Sequence, residues 1–339
     1  MKNVSGIPDG MARALAGGTA AAAVLATASL AALPATALAQ QAWPVKPVRM
    51  LIPWPPGGSN DVAGRIVAPR LADALGQPVT IENRGGAAGT VGADVVARSE
   101  PDGYTLMLHS VTHLSNAALY LKLSYDTVKD FTPIGMVSTQ PTLLVVHPSF
   151  PVKSVKDLIA LAKQRPGELT YASGGNGTSH HMGGELFGLL SGTKMSHVPF
   201  KGSPQAVGAV VSGEVALMFP NIPNAMGLAK AGKLRILGVT TPKRLSFWPE
   251  LPTIAESGLP GYEVIAWFGL FAPAGTPSAV IDRMNAEANK ALAIPAVREN
   301  LMTQGFELMG GTVAEFAAFV RSEIEKWAKV VKATGARAD

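Results

Sequence analysis

From Val48 onward, short apolar runs of strand length alternate with longer stretches whose apolar residues recur at helical spacing. No other feature restricts the fold so strongly, because repeated strand–helix units build sheets with helices packed on their faces. Strands are predicted at 48–52, 79–82, 104–109, 142–147, 169–172, 196–200, 215–219, 234–240 and 263–271. Helices are predicted at 61–75, 90–99, 155–164, 179–190, 206–212 and 225–231, then at 278–293 and 313–332. The rhythm implies an α/β fold with parallel sheets. So many strands suit two sheets better than one. The long extended stretches 132–147 and 262–273 are candidates for passes between two domains. Two passes would make the first domain discontinuous, with the middle of the chain forming the second. Pro69 falls inside the first helical pattern and should kink or shorten that helix. Trp327, Val330 and Val331 follow helical spacing and should pack the last helix down.

Composition narrows the class. In 339 residues, 47% are apolar and 16% charged, which supplies a core and argues against disorder. The net charge of +5 is spread without a basic run, so no nucleic-acid surface is expected. There is no cysteine, which excludes thiol chemistry, disulfides and Cys-ligated metals. Lys2 and Arg13 precede an uncharged Ala/Leu/Val-rich stretch at 17–33, and Ala37-Leu38-Ala39 is a small-x-small cleavage site before Gln40. This pattern is that of a secretory signal peptide, residues 1–39, cleaved near Ala39. Removing Lys2, Asp9 and Arg13 with it takes the net charge from +5 to +4. No later segment has about 18 uninterrupted apolar residues. A periplasmic protein is expected.

The stretch "IPWPPGGSNDVAGRI", 52–66, joins the first strand to the first helix. Its prolines fix the exit from the strand, and its glycines let backbone N–H groups face outward. Ser59, Asn60 or Asp61 can cap the helix. A glycine turn feeding a helix N-terminus is a place for an anion. A second such loop follows residues 169–172: Ser173-Gly174-Gly175-Asn176-Gly177, with a helix starting at Thr178 or Ser179. In wound sheets these loops lie at the carboxyl ends of strands, where ligands bind. Facing each other across a cleft, the two would grip a carboxylate from both sides.

The chain resembles the periplasmic receptors of tripartite tricarboxylate transporters, the Bug-type or TctC-like solute-binding proteins. The resemblance covers about residues 43–339. It is carried in order by "WPVKPVRMLIPWPPGGSNDVAGRI", "LGQPVTIENRGGAAGTVGADVVA", "PDGYTLML", "ALYLKLSYDTVKDFTPI", "YASGGNGTSHH", "HVPFKG", "AGKLRILGVTTPKR", "WFGLFAPAGTP" and "IEKWAKVVKATGA". It implies a type II periplasmic-binding fold, two doubly wound lobes closing on a ligand. The expected lobes are 40–141 with 264–339, and 142–263. The family binds di- and tricarboxylates, acidic amino acids and nicotinate-like or aromatic carboxylates. The carboxylate is held by loop N–H groups, hydroxyls and water. Carried over, the binding residues are Trp54, Pro56, Gly57, Gly58, Ser59 and Asp61 in the first loop. In the second they are Ser173, Gly175, Asn176, Gly177, Thr178 and Ser179. Ser110 and Thr112, in the loop after the third strand, and Asn221, after Phe219, complete the set. The implied partners are a small carboxylate and a membrane permease, with the receptor a monomer and no cofactor needed. Relatives often carry an acidic or small polar residue where Pro220 stands. Pro220 cannot meet an ammonium group, which disfavours an amino-acid ligand. Trp54 keeps an aromatic wall.

Sharper chemistries compete with this reading. A sensor for a two-component signalling system is the alternative role, and a secreted serine hydrolase the outsider. Ser179 beside His180 and His181 invites the hydrolase, but helical neighbours point about 100° apart and no G-x-S-x-G elbow is present. His109 and His113, four apart, with His180 and His181, suggest a metal, but no H-E-x-x-H motif supports it. "GLAKAGKL", 227–234, has P-loop spacing but lacks the final Ser/Thr and reads as a helix end entering a strand. "GGAAGTVG", 85–92, reads as a loop and helix start. Lys201 is a candidate anion partner, more often solvated. Asp61 is expected to order its loop, and Trp267 and Phe268 to serve the core or hinge.

Overall fold

The structure, a computed structural model, describes residues 43–338. The expected signal peptide lies outside the described residues. Strand β1 (Val48–Ile52) leads to α1 (Ser59–Leu75), then β2 (Val79–Asn83), α2 (Thr90–Ala97), β3 (Thr105–Ser110) and α3 (Val111–Leu119). Next come β4 (Phe131–Pro141), β5 (Leu143–Val146), α4 (Val155–Gln164), β6 (Thr170–Ser173) and α5 (Ser179–Ser191). The middle of the chain continues with β7 (Ser196–Pro199), α6 (Ser203–Val211), β8 (Leu217–Met218), α7 (Ile222–Lys230) and β9 (Arg235–Val239). The last part holds β10 (Ile265–Pro273), α8 (Ser278–Ala293), α9 (Pro295–Thr303), β11 (Glu307–Leu308) and α10 (Val313–Thr334).

The strands form two sheets, ordered β11-β4-β10-β3-β1-β2 and β7-β6-β8-β5-β9. Both are mixed, not wholly parallel. β1 pairs in parallel with β2 and β3, and β6 with β7 and β8. β10 runs antiparallel to β3 and β4, and β5 antiparallel to β8 and β9. The reason lies in the two passes. β4 carries the chain out of the first sheet, and Thr142 alone separates it from β5 of the second. β10 brings the chain back beside β4, so an outgoing and a returning strand pair head to tail. Helical crossovers accompany the parallel pairs of β1 with β2 and β3 and of β6 with β7 and β8, while β11 adds antiparallel to β4.

Other departures from expectation have local causes. Helix α1 runs past Pro69 to Leu75. Pro69 and Arg65, the residue whose carbonyl it deprives of a helical donor, are both exposed. No loop follows β3, because Ser110 ends the strand and Val111 starts α3. The motif at 85–92 becomes a short 3-10 turn and the start of α2, and that at 227–234 is the end of α7 entering β9. Among the described residues, no helix is long and apolar enough to cross a membrane.

The core under the first sheet is closed by α10, whose N-terminus carries a capping box between Thr312 and Glu315. Trp327, Val330 and Val331 are buried, as their spacing predicts. Buried Glu323 accepts hydrogen bonds from the indoles of Trp267 on β10 (3.1 Å) and Trp327 (2.9 Å). Trp267 thus serves the core, while its neighbour Phe268 reaches the cleft.

Candidate functional site

The first loop is shaped from behind. The carboxylate of Asp61, in the first turn of α1, accepts the Gly57 N–H at 2.9 Å, Arg65 Nε at 2.8 Å and Asn83 Nδ2 at 3.0 Å. Asn83 also donates to the Trp54 carbonyl at 3.0 Å, which fixes both ends of the turn. Burial opposes ionisation of Asp61, but the bonds from Arg65, Gly57 and Asn83 outweigh it and hold the carboxyl below its usual range. Gly57 sits at φ +82°, a conformation that other residues rarely adopt. Asp61 therefore orders the loop, and Gly58 takes the N-cap position.

The second loop rests on a polar stack. Ser173 Oγ donates to the Gly175 carbonyl (3.0 Å) and accepts the Gly175 N–H (3.1 Å), while His197 Nε2 lies 2.6 Å from it. The His197 ring stacks on His181, 3.9 Å between centroids and 9° from parallel. His181 Nδ1 accepts the Gly177 N–H at 3.0 Å. Thr178 caps α5 by accepting the His181 N–H. Gly177 has φ +72°, its carbonyl accepts the Ser115 hydroxyl of α3 at 2.7 Å, and a Cβ there would meet Asn116 and Ser115 at 2.8 Å. Asn176 Nδ2 donates to the carbonyl of Ala338 at 3.2 Å.

Between the sheets lies a cleft of about 400 Å³. Five helices begin on its wall. Gly58 and Ser59 start α1, Ser110 and Val111 start α3, and Thr178 and Ser179 start α5. Gly202 and Ser203 start α6, and Asn221 starts α7. Each N-terminus presents unpaired backbone N–H groups and the positive end of a helix dipole. Trp54, Phe268 and Phe306 supply apolar wall. Among the described residues lining the cleft, Lys201 is the one charged side chain, and none is acidic.

A hydrogen-bonded chain crosses the floor. His180 Nδ1 accepts the Gly174 N–H at 3.2 Å, so its Nε2 bears the proton and donates to Asn221 Oδ1 at 2.7 Å. Asn221 Nδ2 donates to Gln140 Oε1, with a longer 3.5 Å approach to Ser59 Oγ. Ser59 donates to the same Gln140 oxygen at 2.9 Å, and Gln140 Nε2 donates to the Gln304 carbonyl at 3.0 Å. Burial pushes the His180 imidazole down to about 4, against a smaller upward pull from Asn221. His180 is therefore neutral at pH 7.

Ten of the sequence-predicted residues line the cleft: Trp54, Pro56, Gly57, Gly58 and Ser59, with Ser110, Thr112, Thr178, Ser179 and Asn221. Asp61, Ser173, Gly175, Asn176 and Gly177 do not; they lie behind the wall and shape it. Pro220 is buried away from the cleft, its carbonyl accepting the Leu143 N–H. The sequence reading missed Gln140, Ser203, Asn224, Gln304 and Phe306. A signal existed for Ser203: a serine followed by proline commonly starts a helix. Gln140, Gln304 and Phe306 carry no local signal, since they reach the cleft from strand and helix ends distant in sequence.

The rival chemistries find no geometry. Both nitrogens of His180 are engaged, so neither serves Ser179 as a base. His109 and His113 are fully buried behind Trp54, stacked on each other and boxed by Tyr125, Phe131 and Phe271. Among the described residues, no group of three or more His, Asp or Glu side chains is placed to hold a metal.

Two mixed sheets with a donor-rich cleft between them are the two-lobed architecture of the periplasmic solute-binding proteins, and solved structures of such proteins share it. The chain belongs to the TctC family, described as the tripartite tricarboxylate transporter family receptors, which it matches over residues 63–336. Family members are periplasmic receptors that bind small carboxylates and work with a transporter. The chain is 39% identical to the protein BugT of Bordetella pertussis, over 92% of this chain and 95% of BugT. It superimposes on R. palustris Rpa4515 with adipate at a TM-score of 0.79, with 38% identity over 87% of this chain and 99% of that one. With MatC of Rhodopseudomonas palustris with bound malate the TM-score is 0.77, with 34% identity over 85% of this chain and 100% of that one.

Proposed function

We propose that this chain captures a small carboxylate in the cleft and hands it to a membrane permease of the tripartite tricarboxylate transporter type. The observation that carries this reading is the convergence of five helix N-termini on a cleft whose described lining holds no acid. Each terminus offers about half a positive elementary charge, so an anion is stabilised without an arginine. The hydroxyls of Ser59 and Ser179 and the amide of Asn221 add donors. An α-ammonium group would meet no carboxylate here, so the ligand carries no amine. Trp54, Phe268 and Phe306 suit its aliphatic or aromatic body. The similarity to proteins holding adipate and malate favours a dicarboxylate. Residues 40–141 with 264–339 act as one lobe and 142–263 as the other. The receptor acts as a monomer, reaches the periplasm by cleavage near Ala39 and catalyses nothing.

The test is a thermal-shift screen of residues 40–339, unfolded and refolded to strip carried-over ligand, followed by calorimetry. The panel is adipate, succinate, malate, citrate, aspartate, glutamate, nicotinate, benzoate and terephthalate. One-to-one binding of a carboxylate at micromolar affinity or better supports the reading. Binding of aspartate or glutamate overturns the argument against an amine. No shift with any member overturns the function.

A further inference from the structure

Two donors at the starts of different helices converge on one side-chain oxygen in the cleft. Ser59, at the start of α1, donates to Gln140 Oε1 at 2.9 Å, and Asn221, at the start of α7, donates its amide to the same atom. The Asn221 amide is not free to turn over. His180, itself oriented by the Gly174 N–H, donates to Asn221 Oδ1 at 2.7 Å and leaves Nδ2 aimed at Gln140. Gln140 and Asn221 are both buried, and Gln140 is held at its other end by the Gln304 carbonyl. A hydroxyl and an amide N–H closing on one sp² oxygen is the arrangement that a carboxylate oxygen requires.

We propose that Gln140 Oε1 stands where an oxygen of the ligand's carboxylate binds, so that Gln140 is a built-in competitor and sets specificity. The proposal rests on the reading of the cleft as a carboxylate receptor. An amide oxygen is neutral, whereas hydrogen bonds to an ionised acceptor are roughly twice as strong. A carboxylate therefore displaces Gln140, and a neutral carbonyl or alcohol gains too little to do so. Ser59 and Asn221 then hold the ligand, with His180 as the positioning residue that keeps the Asn221 donor outward.

The test compares the exported protein with Gln140→Ala, Gln140→Asn and Gln140→Glu by calorimetry with adipate, succinate and malate. Thermal melts confirm that each variant folds. Removing the competitor in Gln140→Ala tightens carboxylate binding roughly 3- to 10-fold, the equivalent of one net hydrogen bond. Gln140→Asn, one methylene shorter, shows a smaller gain. Gln140→Glu supplies a tethered carboxylate and weakens binding at least about tenfold by the same conversion. Unchanged or weaker binding by folded Gln140→Ala and Gln140→Asn, with the parent protein binding, overturns the proposal and leaves the receptor reading standing. Binding that appears only in Gln140→Ala shows that a carboxylate does not displace Gln140, and overturns both the displacement and the receptor reading of the parent protein. No binding by either overturns both.

Discussion

The hydroxyls of Thr142 and Thr240 lie 2.7 Å apart, fully buried, at the place where the chain passes between its two sheets. Thr142 is the residue between β4 and β5, and Thr240 follows β9 on the way back. Thr240 Oγ1 also donates to the Thr142 carbonyl at 3.0 Å, so Thr142 is the donor between the hydroxyls. The backbone N–H of Thr240 reaches that carbonyl as well, at 3.1 Å. Both passes are thus stitched at one point.

The two hydroxyls differ in consequence. Thr142→Val removes one hydrogen bond and leaves Thr240 still bonded to the Thr142 carbonyl, at a cost of about 1 kcal/mol. Thr240→Val removes two and leaves the Thr142 hydroxyl buried without a partner, at about 2–3 kcal/mol. Urea denaturation of the two variants gives the order, and a larger loss in Thr142→Val would contradict the donor assignment.

His180→Phe fills the same space but leaves the Gly174 N–H unpaired and lets the Asn221 amide turn. Carboxylate affinity is expected to fall about tenfold, or 1.4 kcal/mol, with a stability loss of about 2 kcal/mol for the orphaned buried groups. Calorimetry and a melt on the same sample separate the two effects.

Acid should unfold this protein early. Burial pushes His180 and His181 down to about 4, and His113 to about 3. It also pushes His109 well below the ordinary value, with His113 adding to the effect, and His197 to about 3. The unfolded chain takes up these protons near 6.5, whereas the folded chain refuses those of His180 and His181 until about 4 and takes the others only well below 6.5. Stability is therefore whole above 6.5 and falls as the pH drops. His180 and His181 each contribute a loss of about 3 kcal/mol by pH 4. Melting temperatures from pH 8 to 4 should decline steeply below 6.5, and a flat profile down to 5 would refute the buried neutral histidines.

Asp61→Asn keeps the shape of the side chain but loses its charge toward Arg65 and the Gly57 N–H. Stability should drop by about 1.5–3 kcal/mol, the range for hydrogen bonds to a charged group. Ligand affinity should fall with it, because the turn at Gly57 is released. Calorimetry on Asp61→Asn checks this, and unchanged affinity would show that the loop is held by other contacts.

Gly184 faces the ring of Tyr171, and a Cβ there would sit 2.2 Å from the ring carbon Cε2. Gly184→Ala must push α5 off β6, an overpacking cost of about 1–3 kcal/mol. The displaced Tyr171 also stacks on His197 and bonds Glu185, so the second loop should loosen. A stable Gly184→Ala variant with parental affinity would refute the tight α5–β6 contact.

Apolar periodicity, glycine turns and capping hydroxyls act over a few residues, so the sequence by itself determined the strand–helix rhythm and both cleft loops. The same local logic placed Trp327, Val330 and Val331 against the core. It could not tell residues that face the cleft from residues that shape it. Ser173 looks like a ligand contact in sequence, yet it turns backward to hold Gly175, while Asp61, carried over as a contact but also expected to order its loop, does the latter through the Gly57 N–H. Strand direction also escaped it, because β4 pairs with β10 only after the chain has gone out and returned. Gln140, Asn221 and His180 come from three separate segments, and only packing brings their side chains together. Hydrogen bonds reach about 3 Å, so which donors meet is decided by tertiary structure rather than by the neighbourhood of any residue in the chain.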